Sequence, residues 1–183
     1  MFEKKKNANS LAKTLAFTAL FAALCCVSTM AITIPLPASG YFNTGDVFVL
    51  LAGWILGPLF GPIAAAVGSM LADIFLGAPI YAPATFIIKG IVAFVAYLLS
   101  AFLKKGIKKS ALDVLSRGVS AIIAEGIMVV GYFAYECILT NAISALPNIL
   151  GNVLQGCCCA VVAVALATAL GHIRAVKNLF PSL

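Results

Sequence analysis

Residues 46–76 read DVFVLLAGWILGPLFGPIAAAVGSMLADIFL. Two apolar runs, Val47 to Leu56 and Ile63 to Leu76, flank the doubled Gly-Pro signal Gly57-Pro58-Leu59-Phe60-Gly61-Pro62. Glycine supplies turn conformations and proline removes a helix donor, so the stretch reads as a short span, a break and a second span. A soluble domain has no use for such a stretch, and the rest of the chain follows the same rule. Of 183 residues 63% are apolar and only 10% charged, with a mean hydropathy of +1.11. Soluble domains are near half apolar and a quarter charged. This composition belongs in a bilayer.

A span needs about 20 apolar residues, so the chain holds six spans in a single domain, residues 1–183, and has no length left for a soluble catalytic or nucleotide-binding module. Span one runs from Leu11 to Ile32, behind Lys4, Lys5, Lys6 and Lys13, and ends at Ile34-Pro35-Leu36-Pro37. Spans two and three are those quoted. Span four, Ala84 to Leu103, ends in Lys104-Lys105-Gly106-Ile107-Lys108-Lys109; span five covers Ala111 to Leu139, and span six Asn148 to Leu170, beyond Pro147. The fold class is an all-α integral membrane protein, a compact bundle of six transmembrane helices. With both termini cytoplasmic, every Lys and Arg except Lys89 falls inside, as the positive-inside rule requires. The net charge of +6 therefore reports orientation and not nucleic acid. A secretory signal peptide is the competing reading of the first thirty residues, but Thr29-Met30-Ala31 is a poor cleavage site and the run is long.

The six cysteines, Cys25, Cys26, Cys137, Cys157, Cys158 and Cys159, fall inside spans and read as packing residues, not as a metal site or disulfide framework. His172 sits beside Arg174 at a helix C-terminus, where positive charge is favourable. No nucleophile elbow, phosphate-cradling loop or His-Glu-x-x-His motif occurs, so no enzyme, cofactor or metal is expected.

Ionisable groups within spans are costly and normally face protein or a water-filled cavity. Here they gather in the outer half: Asn43, Asp46, Tyr81, Lys89, Tyr132, Glu136, Asn148, Asn152 and Gln155, with Glu125 deepest, near mid-bilayer. Asn148, Asn152 and Gln155 share one helical face, and Glu125, Tyr132 and Glu136 share a stripe. This is the donor, acceptor and aromatic set of a solute site. Asp73 and Lys89 read either as ligand contacts or as a buried ion pair, and Tyr41 and Tyr81 equally as aromatic-belt anchors. Small residues form a second pattern. Ala12, Ala16, Ala19 and Ala23 leave one face of span one nearly bare, for tight packing or for docking a separate membrane subunit; Gly61, Ala65, Gly68 and Ala72 repeat it on span three, where packing within the bundle is expected.

The series Tyr41-Phe42-Asn43-Thr44-Gly45-Asp46-Val47, Leu56-Gly57-Pro58-Leu59-Phe60-Gly61-Pro62, Gly68-Ser69-Met70-Leu71-Ala72-Asp73, Tyr81-Ala82-Pro83-Ala84-Thr85-Phe86-Ile87-Ile88-Lys89-Gly90 and Asn152-Val153-Leu154-Gln155-Gly156 resembles the substrate-binding S component of energy-coupling factor (ECF) vitamin importers, in the branch of the pyridoxine, hydroxymethylpyrimidine and riboflavin types. The similarity runs from Lys13 to about Leu170. It implies a bacterial cell-membrane protein that captures a water-soluble vitamin or precursor from outside, with the loop Pro35 to Asn43 as a lid. It also implies partners, a transmembrane coupling subunit and two cytoplasmic ATPases, with an Ala-x-x-x-Ala motif, here Ala19-Leu20-Phe21-Ala22-Ala23, as the docking element. The rival reading is a stand-alone proton-coupled carrier in which Glu125 or Asp73 titrates; a small membrane enzyme ranks last.

Overall fold

A computed structural model describes residues 2–36, 40–104 and 110–180. Lys105, Lys108 and Lys109, and Pro37 and Ser39 of the expected lid, lie outside the described residues. The elements run α1 (Phe2–Ala31), β1 (Thr33–Pro35), β2 (Tyr41–Asn43), α2 (Asp46–Phe75), α3 (Ala82–Leu103), α4 (Ser110–Leu139), α5 (Ala142–His172) and α6 (Arg174–Leu179). Among the described residues five helices, α1 to α5, are long and apolar enough to cross a membrane.

The quoted stretch forms α2, and its Gly-Pro signal breaks the helix where expected. Gly57 adopts φ +82 and ψ −169, open to glycine and strained for other residues. Pro58 follows at the first position of the second arm, where a missing N–H costs nothing. The two arms double back on each other: a Cβ on Gly61 would lie 2.6 Å from the Ala52 carbonyl, whereas an unbroken helix would separate those residues by about 13 Å. Asp46 and Asp73 thereby reach the same end of the bundle.

Each long helix packs on its successor, and α5 returns to α2. Val49, Leu50, Val92, Ala93, Ala124, Met128 and Ala163 fill the centre. The helices approach closely at glycines. A Cβ on Gly68 would stand 2.2 Å from the Ala22 carbonyl, and one on Gly53 2.3 Å from the Ala93 carbonyl. The small-residue stripe of span three thus packs within the bundle, as expected. Outward positions such as Ile138, Ile143 and Val161 are exposed, an arrangement suited to lipid.

Three local features depart from the sequence reading. The loop after α1 is an antiparallel hairpin pairing Thr33 with Asn43 and Pro35 with Tyr41; proline is tolerated there because the strand is an edge. The last long helix starts at Ala142, not Asn148, because the Asn141 side chain caps the Ser144 amide at 3.0 Å and Pro147 falls early enough to be accommodated. A short α6 follows His172.

Candidate functional site

The hairpin lies over the end of the bundle where the polar residues gather. Beneath it is a chamber of ≈ 30 Å³, lined among others by Tyr41, Asn43, Tyr81, Tyr132, Glu136, Asn152 and Gln155. Of the expected site residues, Asn43, Tyr81, Tyr132, Glu136, Asn152 and Gln155 share this one hollow.

The α5 face delivers Asn148, Asn152 and Gln155, all buried. Asn148 Nδ2 donates to Glu136 Oε1 at 3.0 Å, bridging α5 to α4. Gln155 Oε1 accepts the Asn43 backbone N–H at 2.8 Å, tying the hairpin to α5, and the Asn43 side chain caps the Gly45 amide at 2.9 Å. The aromatic wall comes from Tyr81, edge-on to Tyr135 at 5.8 Å, and from Tyr132, whose hydroxyl lies 2.9 Å from Thr85 Oγ1.

Asp46, Lys89 and Glu125, expected in the same site, do not line the chamber and form a layer below it. Lys89 Nζ is 2.5 Å from Asp46 Oδ1, both groups almost fully buried. Asp46 also accepts from Gln155 Nε2 at 2.5 Å. The ammonium faces the Tyr132 ring at 5.2 Å and the Met128 sulfur at 3.1 Å. Of the two sequence readings of Asp73 and Lys89, the ion pair is corrected: the partner of Lys89 is Asp46. Asp73 instead accepts from the Tyr41 hydroxyl. Glu125 is 3% exposed, packs against Gly156 and has neither carboxyl oxygen partnered.

Tyr41, Asp73 and Thr85 belong to the chamber wall as well, although sequence reasoning read Tyr41 equally as an aromatic-belt anchor and passed over Thr85. Burial and the neighbouring Asp73 push the Tyr41 phenol up from its ordinary value, so it acts as a donor. Thr85 carried a readable signal: Tyr81, Thr85 and Lys89 are spaced four apart and share a helical face. Ala12, Ala16, Ala19 and Ala23 are all exposed on α1.

A helical bundle with an apolar exterior closed over a buried polar chamber is an architecture that suits a membrane transport protein. A family model for the ECF-type riboflavin transporter, S component, matches residues 9–172. The chain belongs to that family, whose members are transporter subunits and not enzymes. It is 32% identical over 148 residues to an uncharacterized protein in the gap 3′ region of Pyrococcus woesei, covering 80% of this chain and 91% of that one. The solved S component of a bacterial ECF transporter shares its fold, with a TM-score of 0.66 at 22% identity, over 88% of this chain and 96% of the other.

Proposed function

We propose that this chain is the substrate-capturing subunit of an ECF-type importer in the cell membrane. The two arms of α2 supply crossings two and three of six, both termini are cytoplasmic, and the chamber opens outward. Family membership supports the role, and the charge distribution supports the orientation. Lys13, Lys104, Arg117 and Arg174 lie on the helix segments remote from the chamber, the side the positive-inside rule assigns to the cytoplasm. The cargo is a water-soluble vitamin or precursor, handed on with the help of a transmembrane coupling subunit and two ATPases.

The observation that carries this reading is the convergence of Glu136, Asn152 and Gln155, from two helices, on one hollow beneath the hairpin. At ≈ 30 Å³ the hollow holds only a water or two, whereas small-molecule sites span about 300–1,000 Å³. Cargo entry therefore requires the hairpin to lift. Mass spectrometry of the detergent-solubilised protein should find a co-purified vitamin-sized solute. Glu136→Ala or Gln155→Ala should weaken its binding about ten- to hundredfold, the worth of a hydrogen bond to a charged or buried partner. Unchanged affinity in purified protein rejects the site.

The exposed stripe Ala12, Ala16, Ala19 and Ala23 is the proposed docking face for the coupling subunit. Ala19→Leu and Ala23→Leu should leave solute affinity intact and abolish co-purification with that subunit. Persistence of the complex would rule the face out.

A further inference from the structure

The polar chamber occupies one end of the bundle, and the opposite half carries a cavity that solute capture does not use. Between α4 and α5 lies an apolar groove of ≈ 720 Å³, bounded by Val114, Gly118 and Ile122 on one side and by Val161, Ala165 and His172 on the other. Its volume falls within the range of about 300–1,000 Å³ typical of small-molecule sites. The groove exists because the two helices splay. Near the middle of the bundle they touch: a Cβ on Gly156 of α5 would stand 2.9 Å from Glu125 Cβ of α4. About two turns away along α4, a Cβ on Gly118 would meet nothing within 4 Å. The α5 wall opposite includes Ala160, Ala165 and Ala169, whose small side chains leave the space open.

Length and charge decide between occupants. From Ala160 to His172 the opening runs about 18 Å along α5, close to the hydrocarbon of one leaflet, half of about 30 Å. A transmembrane helix needs a seat along the whole core, and this one closes at the Glu125–Gly156 contact. One acyl chain suits it. The open end is basic: His172 lines the mouth, and Arg174 and Lys177 follow it on α6, both exposed. The Phe180 ring just after α6 meets Phe17 edge-on at 4.7 Å, which keeps that short helix against the bundle. Among the described residues no carboxylate lines the groove, and Asp113, the acidic group at this end of α4, is paired with Lys104 at 3.4 Å. Basic pockets between membrane helices bind anionic lipid headgroups.

We propose that the groove between α4 and α5 is a site for an anionic phospholipid, with one acyl chain seated among Gly118, Ile122, Val161 and Ala165 and the phosphate held by His172, Arg174 and Lys177. The orientation proposed above puts this mouth in the cytoplasmic leaflet, where anionic lipids gather. Binding itself does not depend on that orientation.

The test is native mass spectrometry of the full chain in detergent, with dioleoyl phosphatidylglycerol, dioleoyl phosphatidylcholine and glycerol phosphate as probes. Phosphatidylglycerol should be retained at least about fivefold more tightly than phosphatidylcholine, the worth of one basic residue near a membrane surface. The double variant Arg174→Gln/Lys177→Gln, at exposed positions, should erase that preference and leave phosphatidylcholine retention as it was. Gly118→Leu puts a side chain into the groove and should lower phosphatidylglycerol affinity at least about tenfold, through the loss of buried chain methylenes. Gly126→Leu, two turns further along α4 and equally unobstructed, should leave it unchanged. Equal retention of the two lipids overturns the proposal, as does phosphatidylglycerol binding that survives Gly118→Leu. Glycerol phosphate bound as tightly as the lipid overturns it too, since the chain would then contribute nothing. A dimer that Gly118→Leu abolishes would assign the groove to a second copy of the chain instead. None of these outcomes bears on the co-purified solute, so solute capture stands or falls separately.

Discussion

Lys89→Met is expected to lower the thermal midpoint of the purified protein by roughly 6–20 °C, the equivalent of about 3–5 kcal/mol lost when one member of a buried ion pair is removed. The methionine keeps most of the stem volume and deletes the charge. Asp46, fully buried, then retains, among the described residues, the Gln155 amide as its side-chain partner. Desolvation without compensation, and not the loss of attraction itself, sets the size of the effect. The companion double variant Asp46→Asn/Lys89→Met should recover most of the loss, because it removes both charges together. A double variant as unstable as the single one would mean that the pair is not what holds this layer.

Gly68→Ala should destabilise by about 1–3 kcal/mol or more, the cost of overpacking a site with no room to give. The added methyl would meet the Ala22 carbonyl at 2.2 Å and Cys25 Cβ at 2.8 Å. Both belong to α1, and the first is backbone, so relief requires a whole helix to move. Gly126→Ala on α4 is the control with the opposite sign. Its Cβ would meet nothing within 4 Å, and the better helix former should contribute up to about 1 kcal/mol. Thermal midpoints of the two variants in the same detergent check the pair. Similar gains in both would show that helix propensity, and not close approach, governs these glycines.

The membrane class and the break in the quoted stretch were legible because each rests on local chemistry: apolar run length, and glycine and proline at defined positions. The polar end was legible for a related reason, since an uncompensated Glu136 or Gln155 in a span has to face something. Partner choice was not legible. Asp46 and Lys89 are 43 positions apart, and their meeting depends on the register set by Gly53 against Ala93. Neither residue advertises that contact in sequence. Asp73 offered an equally good partner on charge alone, yet in the fold it accepts from Tyr41 of the hairpin. The hairpin itself escaped notice because three-residue strands around prolines carry no periodicity.

Gln155 occupies an unusual position, since one amide serves two masters. Its oxygen holds the backbone of the hairpin at Asn43, while its nitrogen holds the carboxylate of Asp46, which in turn grips Lys89. Mouth and floor are thus geared together through a single side chain. A shift of the hairpin that strained the Asn43 contact would therefore be felt at the ion pair through this one amide.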